Sequence, residues 1–210
     1  MKLAVINFSG NVGKTVISRY LLNERIDGSE VVYLETINES GADEKQKMSA
    51  RKFDDIYMKM DSDETLILDV GSSNIEEFIF NLAKYSGSEE LIDYFIVPIV
   101  KSDKQQVDTI TTINTLIKNN VDPSRIIQIF NQVDYRLDDN EIKKEYDQII
   151  EFLGRIGIDA DIRLRIKSND VFGILESNKN LFGMMPLKEI SQLDLDGKKA
   201  QGGSGDELSK

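Results

Sequence analysis

A chain of 210 residues, 40% of them hydrophobic, can bury one sizeable core and leaves hardly any room for a second. It contains no cysteine and no histidine, which excludes a disulfide framework, histidine-based triads, imidazole proton shuttles and most zinc sites. A formal net charge of −11 argues against non-specific nucleic-acid binding by the surface at large.

LAVINF (3–8) opens the chain as a buried strand, too short for the apolar core of a signal peptide, and residues 14–24 follow as an amphipathic helix. VVYLE (31–35) is the second strand. A long charged connection over 36–64 comes next, and in it Phe53, Ile56, Tyr57 and Met60 have the i, i+3, i+4, i+7 spacing of a helix. Long connections of this kind in α/β domains are often functional. TLILDV (65–70), DYFIVPIV (93–100) and RIIQIFN (125–131) read as three further strands. Helical stripes lie between and after them: Ile75, Phe78, Ile79 and Leu82; Val107, Ile110, Ile113 and Ile117; Tyr146, Ile149, Ile150 and Leu153.

The helix over 103–119 is rich in threonine, and its Gln105–Gln106 start and threonines read as a solvated face. IRLRIK (162–167) reads as an edge strand guarded by Arg163, Arg165 and Lys167. Arg51 and Lys52 make a second small basic patch, and no helix-turn-helix pattern is evident. Strands apolar on both faces and separated by helices predict an α/β fold: a mostly parallel sheet with helices on both faces, in one domain over 1–193. The polar, glycine-bearing stretch 194–210 reads as a disordered tail. No run approaches the ~18 apolar residues of a membrane span, so a cytoplasmic protein without membrane contact is expected.

Three motifs carry chemistry. SGNVGKT (9–15) sits between a buried strand and a helix, the context a phosphate-binding loop requires. Its glycines let backbone N–H groups converge on an anion, and the helix N-terminus adds partial positive charge. Lys14 would reach the β- and γ-phosphates, and the Thr15 hydroxyl would help hold Mg²⁺. Asp69 ends the strand LILDV, where a carboxylate can hold Mg²⁺ through water. Gly71, just beyond it, can let the backbone swing toward a γ-phosphate. In FNQVD (130–134), Asn131 can hydrogen-bond a purine edge and Asp134 can accept from an exocyclic amine.

The order of these motifs resembles the ParA/MinD group of P-loop ATPases. NFSGNVGKT (7–15), the segment 34–39 and PIVKSDKQQVDTI (98–110) are most similar to StbB-type plasmid stability proteins. The resemblance implies ATP and Mg²⁺ binding, slow ATP hydrolysis, a nucleotide-dependent homodimer, and a role in positioning plasmid DNA with partner proteins, which would carry the DNA contact. Residue by residue, Gly10, Asn11, Val12, Gly13, Lys14 and Thr15 match the phosphate loop, followed by Val16. Thr15 and Asp69 match the Mg²⁺ positions, Asn131 the adenine-contacting asparagine, and the loop 168–171, with Ser168 and Asn169, the segment over the base.

The departures are Phe8 in place of a glycine and Ser9 in place of a signature lysine that reaches the partner's nucleotide in the family. The second strand usually ends in two acidic residues spaced i and i+2, and here Glu35 is followed by Ile37. Glu35 or Glu39 is left as the candidate to orient the attacking water. Other readings stay open on the residues alone. NQVD (131–134) has the form with which GTPases read guanine, and the scaffold also carries small-substrate ATP-dependent enzymes. A non-catalytic interaction protein with a vestigial site is a further alternative.

Overall fold

The computed structural model describes residues 1–34, 47–48, 53–85 and 87–169. Met1–Ser168 form one compact unit and Asn169–Lys210 a second. Only Asn169 of the second lies among the described residues, so the expected boundary at 193 and the polar tail fall outside them.

The described strands are β1 (Lys2–Val5), β2 (Ser29–Leu34), β3 (Lys47–Met48), β4 (Thr65–Val70), β5 (Tyr94–Ile99), β6 (Ile126–Val133) and β7 (Arg165–Lys167). They form one seven-stranded sheet in the order β3-β2-β4-β1-β5-β6-β7. Every pairing is parallel. The helices are α1 (Lys14–Val16), α2 (Phe53–Met60), α3 (Ile75–Lys84), α4 (Asp103–Lys118), α5 (Asp139–Glu145) and α6 (Asp147–Arg155).

Alternation along each strand feeds two apolar layers. Leu3 and Val5 of β1 join Val31, Tyr33, Ile67, Ile96 and the helical residue Ile17 in one layer. Ala4 and Ile6 join the larger layer, where α2, α3, α4 and α6 are packed. The apolar stripe of α3 is buried as its spacing predicts, with Glu76 and Glu77 in its first turn and Lys84 in its last, charges that complement the helix dipole. Phe53, Ile56 and Met60 of α2 are likewise buried.

Three expectations are corrected. The helix after the phosphate loop runs to Leu22, and from Ile17 it widens to π geometry, with the Asn23 N–H bonded to the Ser18 carbonyl five residues back. The buried face of α4 consists of Gln106, Thr109, Thr112, Ile113 and Leu116, while Val107 is 48% exposed. A face chosen by hydropathy alone is therefore rotated from the face that packs. The third is the strand expected over 162–167, of which only Arg165–Lys167 pair, as the edge strand β7. Its charges are taken up locally: Arg163 pairs with Asp161 at 2.7 Å and Arg165 with Asp139 at 2.7 Å.

β1 lies between β4 and β5, so the chain leaves it toward one side of the sheet and later returns to the other. The carboxyl ends of β1, β4 and β5 thus flank the point where strand order reverses, the place where open α/β sheets bind ligands.

Candidate nucleotide-binding site

The loop after β1 takes its shape from two left-handed residues, Asn11 (φ 59°) and Gly13 (φ 86°). Gly13 is the N-cap of α1, and its carbonyl accepts the Ile17 N–H at 3.0 Å. A methyl group on Gly13 would also stand 2.2 Å from Asn131 Nδ2, so both conformation and space demand glycine there. Gly10 is less confined, its would-be Cβ lying 3.9 Å from Ser72 Oγ just beyond β4.

Lys14 is buried, and its ammonium donates to the carbonyls of Asn7 at 2.9 Å and Ser9 at 2.7 Å. Burial pulls its pKa down to about 8, against the opposing pull of the Asp69 carboxylate. Asp69 is buried at the end of β4, in register with Val5 of β1 and Tyr33 of β2. Gly71 follows, its N–H bonded to the Leu34 carbonyl at the end of β2. Thr15 is exposed at the start of α1, followed by the half-buried Val16. A hydroxyl and a carboxylate are hard oxygen donors of the kind Mg²⁺ takes beside phosphates and water. Among the described residues no cluster of three or more acidic side chains is built to hold a metal by protein groups alone. Thr15 and Asp69 are the donors that would fit such an ion.

The loop is braced from outside by α4, through residues that hydropathy reading assigned to solvent. Asn7 Nδ2 donates to Thr109 Oγ1 and to the Pro98 carbonyl, both at 2.8 Å. The Phe8 N–H donates to Thr112 Oγ1 at 3.0 Å, and Gln105 Nε2 donates to the Gly10 carbonyl at 3.0 Å. Ser9 Oγ donates to Asp108 Oδ2 at 2.5 Å. Positions 105, 108, 109 and 112 share one helix face by the i, i+3, i+4, i+7 rule, and that face holds four successive loop residues. Proton directions agree throughout. Each threonine hydroxyl spends its own hydrogen on a carbonyl one turn back, Gln105 for Thr109 and Asp108 for Thr112, leaving oxygen lone pairs for the loop. The signal in the sequence was this polar stripe, which an apolar search passes over.

The other wall comes from the end of β6. Asn131 is buried, and its Nδ2 donates to the Val12 carbonyl at 2.8 Å. Its amide oxygen is an acceptor. Gln132, left-handed at φ 57°, donates through Nε2 to the Asn11 carbonyl at 3.1 Å. Asp134 lies two residues on, and both of its oxygens are held by Arg136, with Nη2 to Oδ2 at 2.5 Å. Ser168 joins this edge through its N–H, which donates to the Val133 carbonyl at 2.8 Å, and Asn169 is exposed next to it in sequence. The structure thus brings together Gly10, Asn11, Val12, Gly13, Lys14 and Asp69, and joins Asn131 and Gln132 to that loop by hydrogen bonds. Glu35, Glu39, Asp170 and Val171 lie outside the described residues.

A parallel sheet with the reversal point at β1, a glycine loop there and a carboxylate ending the neighbouring strand define a P-loop NTPase fold of the ParA/MinD type. Among solved structures the chain is similar to McdA from Cyanothece, captured as an aspartate-to-alanine variant in complex with ATP. The two share 13% sequence identity at a TM-score of 0.54, over 100% of this chain and 99% of that one. No family model and no curated protein matches the sequence. No described helix is long and apolar enough to cross a membrane.

Proposed function

We propose that this chain is an ATP- and Mg²⁺-dependent nucleotide switch that hydrolyses ATP slowly and serves in the positioning of plasmid DNA. The single observation that carries the reading is Lys14, a buried ammonium held at the mouth of a glycine loop that ends in a helix N-terminus. The ATP bound in the similar McdA structure supports adenine as the base. In this reading Lys14 neutralises the β- and γ-phosphates, Thr15 and Asp69 hold Mg²⁺, and Asn131 accepts from the adenine amine. Thr15 and Asp69 would hold the Mg²⁺ ion, which would supply positive charge against the charge developing on the phosphates. Glu35 is the proposed water-orienting residue.

The switch would act through Gly71, whose N–H is tied to the end of β2. A γ-phosphate drawing that backbone inward would reorganise the connection after β2 and so a partner-binding surface. The protein would work in the cytoplasm with partner proteins of a plasmid stability system, which would carry the DNA contact. Position 9 is a serine whose Oγ donates to Asp108, so a nucleotide-dependent homodimer in this reading would close without a cation from that position. Lys14→Ala should weaken ATP binding at least tenfold in a titration with a fluorescent ATP analogue, and unchanged affinity would sink the assignment. Asp69→Ala should abolish Mg²⁺-dependent phosphate release.

A further inference from the structure

We infer that Arg136 is a specificity residue that disfavours guanine in the nucleotide site by occupying Asp134, a carboxylate able to read it. NQVD (131–134) has the form with which GTPases read guanine, and its aspartate can accept the N1–H and N2–H₂ donors of that base. Those two donors form a planar fork attached to a single carbon. A guanidinium is the same fork, and Arg136 presents it to Asp134: Nε lies 2.9 Å from Oδ1 and 3.2 Å from Oδ2, and Nη2 lies 2.5 Å from Oδ2. The Arg136 backbone N–H adds a fourth contact to Oδ1 at 3.0 Å. A side chain of the protein thus makes with Asp134 the paired contact that guanine would make.

The surroundings favour the same outcome. The hydrogen bonds from Arg136 hold the Asp134 carboxyl far below the usual carboxylate range, so it stays an anion with a cation already seated. Adenine needs nothing from that position, because its amine can be met by the Asn131 amide oxygen while Asn131 Nδ2 stays on Val12. A guanine base would have to displace Arg136 first. The pair is partly solvated, with side-chain exposures of 72% and 25%, so displacement is feasible and its penalty is moderate rather than absolute.

This inference rests on the nucleotide-site reading, and the experiment separates the two. ATP and GTP compete against a fluorescent ATP analogue on the full chain with Mg²⁺, for the unaltered protein, Arg136→Ala, Arg136→Ala with Asp134→Asn, and Lys14→Ala. The expected result is a GTP-to-ATP affinity ratio that rises about fivefold in Arg136→Ala and falls back in the double variant, where no carboxylate is left to read guanine. An unmoved ratio in Arg136→Ala overturns the inference, as does a rise that persists in the double variant. Undiminished binding by Lys14→Ala overturns the nucleotide site itself and the inference with it. Arg136 is exposed, and thermal melting of each variant, expected to match the parent, keeps a folding defect from passing as a change in specificity.

Discussion

At Lys14 two demands conflict, because burial strips water from an ammonium while phosphate binding needs that ammonium charged. With its pKa lowered to about 8, the charged fraction falls as pH rises through that value, and ATP affinity should decline from pH 7 to pH 9 in a titration series. The effect on stability has the opposite direction. The folded chain binds fewer protons here than the unfolded chain between about 8 and the ordinary lysine value of 10.5, so this group's contribution to stability rises with pH across that window. The urea midpoint of the parent should rise relative to that of Lys14→Met between the lower and upper ends of the window. The two loop glycines make a second contrast. Gly13→Ala meets both a left-handed φ and an atom 2.2 Å away, and should destabilise the fold by about 1–3 kcal/mol and abolish ATP binding. Gly10→Ala, with 3.9 Å to its nearest neighbour, should keep the melting temperature of the parent. The left-handed glycine and the buried lysine could be singled out in the sequence because the G-x-x-G-K-T spacing after a strand calls for them. The partners of Asp134 could not, since an arginine two residues on reads equally well as a solvated charge.

At the scale of elements, α4 is where sequence and structure diverge most usefully. Its apolar residues suggested a face containing Val107, yet the helix turns that residue to solvent and packs Gln106, Thr109 and Thr112 inward. The physical reason is that the loop after β1 leaves N–H groups and amide hydrogens that need acceptors at depth, and threonine supplies them without a full charge. Helix existence was therefore readable from periodicity, while its rotation about its own axis depended on polar partners far away in the chain. Thr109→Val keeps the shape and removes the oxygen that Asn7 donates to. It should cost about 1–3 kcal/mol in urea unfolding and weaken ATP binding, whereas Thr109→Ser should restore both. A valine variant that binds ATP as tightly as the parent would show that α4 packs beside the loop without positioning it. The strands were the most legible elements, because burial on both faces leaves near-continuous β-branched runs such as LILDV.

At the scale of the whole molecule, the net charge of −11 sets what the surface can attract. Two of the three basic residues at β7 are already paired, Arg163 with Asp161 and Arg165 with Asp139. The chain alone should therefore show no retention of duplex DNA in a mobility-shift assay at about 0.15 M salt, and retention there would show that no partner is needed for the DNA contact. Sheet order carries a separate consequence. β1 is made before the other described strands, and both of its neighbours, β4 (Thr65–Val70) and β5 (Tyr94–Ile99), are made much later. A nascent chain stalled short of residue 99 holds the entire NFSGNVGKT segment yet lacks the frame that shapes it. Helix α4 is synthesised later still. A segment translated before its strand neighbours is thus among the last to acquire its form, and truncated products of translation would carry NFSGNVGKT without the strands and helix that hold it.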